Sequence, residues 1–138
     1  LNSNNKIFCL LGDGEIQEGQ IWESAMYIGA HRLKNIIVFI DGNKFQNERS
    51  IAETLPEKNL LKKWESFGFK TMRINGHSLI AIEKIIKSFL KSKNKKPILV
   101  YCDTIKGKGV SFMENNNKFH SVKDLSEENY RKAISELS

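Results

Sequence analysis

Ile7-Phe8-Cys9-Leu10-Leu11-Gly12-Asp13-Gly14 is an unbroken apolar run stopped by a polar corner, and Ile36-Ile37-Val38-Phe39-Ile40-Asp41-Gly42-Asn43 repeats the arrangement. Continuous apolar runs of about five residues without alternation are expected of strands covered on both faces, as in a parallel sheet. Between them, Ile21, Trp22, Ala25, Ile28, Gly29 and Leu33 recur at steps of three and four. This spacing predicts an amphipathic helix over 19–33. Strand, helix and strand at this separation make a βαβ unit, whose crossover is right-handed.

The rest of the chain continues the alternation. Leu60, Leu61, Trp64 and Phe67 form a helical stripe, Phe69 to Ile74 a half-alternating strand, and Leu79, Ile82, Ile85, Ile86, Phe89 and Leu90 a further helix. Pro97 to Cys102 is again continuous and apolar, and Ser126 is placed to cap a final helix through Tyr130, Ala133, Ile134 and Leu137. The fold class is therefore α/β: one domain over 1–138 with a doubly wound, mostly parallel sheet and helices on both faces. No internal repeat or low-complexity block interrupts it.

In such sheets ligands bind beyond the carboxyl ends of the strands, where both polar corners fall. Gly12 and Gly14 leave room for a ligand close to the backbone, and Asp13 between them points into the crevice. Helix amino termini stabilise anions through unpaired N–H groups. Asn43 follows Gly14 after 28 intervening residues, so one carboxylate and one amide oxygen can share a hard cation. Asp13, Asn43 and a main-chain carbonyl near Phe45, with phosphate oxygens, satisfy the octahedral oxygen preference of Mg²⁺. Alone, Gly-Asp-Gly is ordinary turn chemistry.

Composition bounds the partners. With 138 residues and 40% hydrophobic content the chain can bury a core. Cys9 and Cys102 both sit in apolar runs, without disulfide or metal-ligand spacing, which predicts buried reduced thiols and a cytoplasmic protein. No run approaches the roughly 18 apolar residues of a membrane span, and no signal sequence is visible. The net charge of +6 centres on Lys91, Lys93, Lys95 and Lys96, a polar linker without interleaved aromatics, so neither nucleic acid nor membrane is an expected partner. Trp22 and Trp64 at helical positions read as core. His77, after Asn75-Gly76, reads as a turn residue at a helix start. Lys106 and Lys108, among glycines, suit either phosphate binding or a surface loop.

Taken together, Gly12-Asp13-Gly14-Glu15-Ile16-Gln17-Glu18-Gly19-Gln20-Ile21-Trp22-Glu23, Asp41-Gly42-Asn43-Lys44-Phe45-Gln46, Lys63-Trp64-Glu65-Ser66-Phe67-Gly68-Phe69, Asn75-Gly76-His77 and Lys106-Gly107-Lys108-Gly109-Val110-Ser111-Phe112-Met113-Glu114 resemble the amino-terminal cofactor domain of transketolases, especially those split into two polypeptides. The resemblance implies thiamine diphosphate and Mg²⁺, or another divalent cation such as Ca²⁺ or Mn²⁺. It implies metal ligation by Asp13, Asn43 and the Phe45 carbonyl, cofactor contacts from Gly12, Asp13, Gly14, Glu15, Asn43, Phe45 and Lys106, and a catalytic role for His120 beside phosphates and substrate. Glu18 would lie at a contact between subunits. The implied reaction moves a two-carbon ketol unit from a ketose phosphate to an aldose phosphate. It needs a C-terminal transketolase subunit, within a homodimer or heterotetramer, to activate the cofactor.

The resemblance also implies further upstream sequence of the same domain, so this stretch is expected to be incomplete on its N-terminal side. Two departures stand out: Ser121 where the family has glycine after the histidine, and Asn47-Glu48-Arg49 where relatives carry an apolar or small residue and then glycine. Another thiamine-diphosphate component, of the 2-oxoacid dehydrogenase E1 or deoxyxylulose-phosphate synthase type, and a non-catalytic interaction remnant are the alternatives.

Overall fold

The computed structural model describes residues 5–47, 49–91, 95–121 and 124–138. Glu48 and Lys93 lie outside the described residues. Strand β1 (Ile7–Gly12) leads through a 3-10 turn (Glu15–Gln17) into α1 (Gly19–Ala30) and then β2 (Ile36–Gly42). A short hairpin follows, β3 (Phe45–Gln46) with β4 (Arg49–Ser50), then α2 (Ile51–Thr54) and α3 (Leu60–Ser66). Next come β5 (Lys70–Asn75), α4 (Leu79–Lys91), β6 (Ile98–Asp103), a 3-10 turn at Asn117–Phe119 and α5 (Glu127–Leu137).

Strands β1, β2, β6 and β5 form one sheet in that order, each pair parallel. From β1 through β2 to β5 the chain advances across the sheet, and from β5 to β6 it steps back. Right-handed crossovers must then put the connecting helices on opposite faces. They do so: Ala25 of α1 and Leu60 and Trp64 of α3 pack with Leu11, Ile36, Val38 and Ile40, whereas Phe89 of α4 packs with Ile37, Val100 and Cys102. Alternate residues of β2 thus serve two cores, which is why that segment is apolar without a break. The first core is closed by aromatics, Trp64 edge-on to Phe69 and tilted against Trp22. Trp64 is 2% exposed, so both tryptophans are packing residues as the helical spacing requires.

Strand β1 is the exception. Cys9 and Leu11 face the first core, but Ile7, Phe8 and Leu10 remain exposed, Leu10 by 73%. Cys9 is consequently only partly buried, against the expectation of a buried thiol, while Cys102 is buried; both are free. Burial lifts both thiol pKa values. Among the described residues no helix is long and apolar enough to cross a membrane.

Element ends shift slightly from expectation. Helix α1 stops at Ala30 rather than Leu33, because Arg32 takes φ +49 and Leu33 N–H turns back to the Ile28 carbonyl. Lys91 is the last residue of α4 rather than part of a linker. Ser126 caps α5 as expected, accepting from Asn129 N–H at 3.3 Å. The hairpin and α2 have no counterpart in the periodicity.

Candidate functional site

The parallel register aligns Gly12 with Asp41, so the corners that end β1 and β2 emerge side by side. Asp13 N–H donates to the Asp41 carbonyl at 3.2 Å, carrying the pairing one residue past the strands. The Asp13 carboxylate is then 4% exposed. One of its oxygens, Oδ2, accepts from Lys44 N–H at 2.5 Å; Lys44 holds φ +71, a left-handed conformation uncommon for a residue with a side chain. The other, Oδ1, is buried with no hydrogen-bond partner among the described residues. Desolvation, with Asp41 nearby, raises the Asp13 pKa despite the Lys44 amide, which lowers it. An anionic oxygen in that position is what a cation would satisfy.

Asn43 is held at both ends. Its Nδ2 donates to Asp41 Oδ2 at 3.1 Å and its Oδ1 accepts from Phe45 N–H at 2.9 Å. The Asp41 carboxylate thereby sets the amide orientation, and it is itself fixed by the Thr104 hydroxyl through Oδ1. Asp41 and Thr104 were not among the residues singled out from the sequence, although Asp41 stands two positions before Asn43 in the quoted motif. A Cβ at Gly14 would come within 2.6 Å of Gln46 Cβ, so the hairpin side chain already excludes any larger residue there. Gly12 differs, since a Cβ there would meet only Glu15 Cβ at 3.9 Å.

The remaining residues arrive from further along the chain. Lys106 follows β6 and places Nζ 3.0 Å from His120 Nδ1, at the end of the second 3-10 turn. The Glu15 side chain folds back, Oε2 accepting from Gly12 N–H at 3.1 Å. Gly12, Asp13, Gly14, Glu15, Asn43, Phe45, Lys106 and His120 all line one cavity of about 520 Å³, together with Gln17, Glu18, Gly19, Gln46 and Asn47. The sequence-designated site therefore converges, and Glu18 sits on its rim at the start of α1. Asn47, of the departure noted above, lines the same cavity with φ +41, and its carbonyl accepts from Asn117 Nδ2 at 2.6 Å. His77 and Lys108 do not line it. Lys108 pairs instead with Glu114 at 3.1 Å, and Gly109 N–H donates to the same carboxylate. Of the two lysines left open by the sequence, Lys108 thus shapes a surface loop.

Residues 2–137 match the family described as transketolase, thiamine diphosphate binding domain. The chain belongs to this transketolase family. Among its relatives, the 6-deoxy-6-sulfo-D-fructose transketolase subunit of Clostridium sp. (strain MSTE9) is 40% identical over 133 residues, covering 96% of this chain and 48% of that protein. An apulose-4-phosphate transketolase subunit of Phocaeicola vulgatus is 36% identical over 135 residues, covering 96% and 47%. The crystal structure of transketolase from Campylobacter jejuni superimposes with a TM-score of 0.82 at 33% identity, over 96% of this chain and 20% of that one. The transketolase-family chain thus spans about half the length of the curated relatives it matches.

Proposed function

We propose that this chain carries the cation- and diphosphate-binding half of a transketolase site, and that with a C-terminal transketolase subunit it transfers a two-carbon ketol unit from a ketose phosphate to an aldose. The observation that supports this most is the common cavity, which gathers a buried carboxylate with an unsatisfied oxygen, an amide oriented by Asp41, a lysine and a histidine. Asp13 Oδ1, Asn43 Oδ1 and the Phe45 carbonyl form an oxygen-only donor set with one negative charge, suited to Mg²⁺ and also to Ca²⁺ or Mn²⁺. The main chain at Gly14 and Glu15 and the Lys106 ammonium face the space a diphosphate fills. His120 lines the same cavity beside Lys106, and its ring would serve a bound sugar as a hydrogen-bond partner. Thiamine diphosphate, when bound, supplies the electron sink for breaking the bond beside a carbonyl; the chain supplies position and charge.

The two relatives are named for anionic sugars, a sulfonated fructose and a sugar phosphate, which supports a ketose with an anionic end as donor. Glu18, exposed on the cavity rim, is assigned to a contact between subunits of a homodimer or heterotetramer. A cytoplasmic location fits two free thiols. The test is a calorimetric titration of thiamine diphosphate into the intact protein with and without Mg²⁺, beside Asp13→Asn. Cation-dependent binding lost in the variant is expected, followed by ketol transfer once the C-terminal subunit is restored. Binding that ignores both the cation and the substitution refutes the assignment.

A further inference from the structure

His77 belongs to no part of the cavity, yet its ring is committed. In the parallel pairing of β5 with β6, Asn75 stands opposite Asp103, and Gly76 N–H donates to the Asp103 carbonyl at 2.8 Å. The ladder's next rung would have the Ile105 amide donating to the Gly76 carbonyl. By then β5 has ended: Ser78 N–H closes a turn onto the Asn75 carbonyl, and α4 begins at Leu79. The Ile105 N–H donates instead to His77 Nε2 at 2.7 Å. The imidazole stands in for the missing carbonyl and extends the sheet by one rung on the β6 side. The main chain that carries the ring is held by Asn75 Oδ1, which accepts from the His77 backbone N–H at 2.9 Å.

The residue after that rung is Lys106. Its carbonyl accepts from Asn115 N–H at 2.9 Å and its ammonium reaches His120. The backbone direction at Ile105 therefore decides where the Lys106 side chain starts. We infer that His77 is a positioning residue for the Lys106–His120 pair, its Nε2 acting as a substitute ladder acceptor that fixes the point at which strand β6 gives way to the phosphate-facing loop. This rests on the reading of Lys106 as a cofactor contact. Because Nε2 accepts, the ring proton lies on Nδ1. A side chain of similar bulk without an acceptor leaves the Ile105 amide unpaired, while glutamine retains an acceptor oxygen.

The test is a double-mutant cycle on the intact protein, with thiamine diphosphate and Mg²⁺ as probe and the dissociation constant as readout. The variants are Lys106→Met, His77→Leu, His77→Gln and the Lys106→Met/His77→Leu pair. His77→Leu is expected to weaken binding about three- to tenfold, the range set by one neutral hydrogen bond. His77→Gln should recover most of that loss, and His77→Leu should add nothing in the Lys106→Met background. Amide exchange in the unliganded protein should quicken at Ile105 and Lys106 in the leucine variant alone. If Lys106→Met weakens binding while His77→Leu is silent or strictly additive with it, the role of His77 is overturned and the site reading stands. If Lys106→Met leaves binding unchanged, the reading of Lys106 as a cofactor contact fails and the inference falls with it.

Discussion

Replacing Asp13 by asparagine should make the unliganded protein more stable and the liganded protein less so. The two carboxylate oxygens of Asp13 have different situations: Oδ2 takes the Lys44 N–H, a bond an asparagine oxygen can keep, whereas Oδ1 is buried, with no partner among the described residues and with Asp41 nearby. A buried polar atom without a partner costs about 1–3 kcal/mol, more when charged. The asparagine Nδ2 inherits part of that cost without the charge, so the net gain is about 1 kcal/mol, or roughly 3–5 °C in melting temperature for a domain of this size. Thiamine diphosphate and Mg²⁺ at about a hundredfold over the dissociation constant stabilise wild type by ~2.7 kcal/mol, a rise on the order of 10 °C. The variant should forfeit most of that rise.

Scanning calorimetry with and without ligand should therefore show the two proteins exchanging rank. Acid sharpens the test, since burial raises the folded-state pKa of Asp13 above its ordinary 3.8. The penalty for ionising it is absent below the unfolded pKa, grows as pH rises through the folded pKa, and is complete above it. The unliganded advantage of the variant should follow the same course and vanish in acid. A variant that melts below wild type without ligand at neutral pH, and still gains the full ligand-induced rise, would refute the reasoning and mark Asp13 as a structural cap.

Gly29→Ala should destabilise by at least about 2 kcal/mol, because its Cβ would fall 1.7 Å from the Phe67 carbonyl oxygen, a clash with main chain that helix propensity cannot offset. Gly19→Ala in the same helix meets nothing within 4 Å and should be neutral or slightly stabilising, and urea denaturation of the pair reads the difference. Arg73→Gln should cost about 0.5 kcal/mol at neutral pH, since the Arg73–Asp103 pair, with Nη2–Oδ1 at 2.6 Å, is substantially exposed. Arg73 holds the Asp103 pKa down, so the stability it contributes is present above the unfolded carboxylate value and lost as pH falls through the folded one; the variant and wild type should converge in acid. Disulfide-reagent titration should find Cys9 reacting before Cys102, both slowly and both fast in denaturant, because burial raises both thiols.

The scaffold was legible where one physical demand dominates. Ile36 to Ile40 is continuous because both faces of β2 are covered, whereas the equally continuous Ile7 to Leu11 covers one face and leaves Phe8 and Leu10 exposed; the α4 stripe is legible because one face meets the sheet. The cavity residues were legible through the motif resemblance, not through periodicity. What escaped was local and polar. The β3–β4 hairpin and α2 occupy a stretch without apolar period, although Ser50-Ile51-Ala52-Glu53 carries a capping-box signal that the structure realises, Ser50 accepting from Glu53 N–H at 3.3 Å and Glu53 from Ser50 N–H at 3.1 Å. The orienting work of Asp41 and the rung supplied by His77 depend on side chains meeting groups far along the chain, and spacing says nothing of that.

The register that sets Gly12 against Asp41 also has a consequence in time. Asp13 and Asn43 lie just beyond the strand ends of a single β1–α1–β2 unit, closed by one short crossover, and Phe45 opens the β3 strand that follows it, so the cation side of the cavity is encoded within residues 7–46 and can take shape soon after that unit pairs. Lys106 and His120 join only after β6 has inserted between β2 and β5, the longest-range step in the topology. During synthesis the carboxylate corner would exist well before the cationic side that faces it. Recovery of cofactor affinity on refolding should accordingly lag behind the earliest sheet signal and keep pace with the docking of β6.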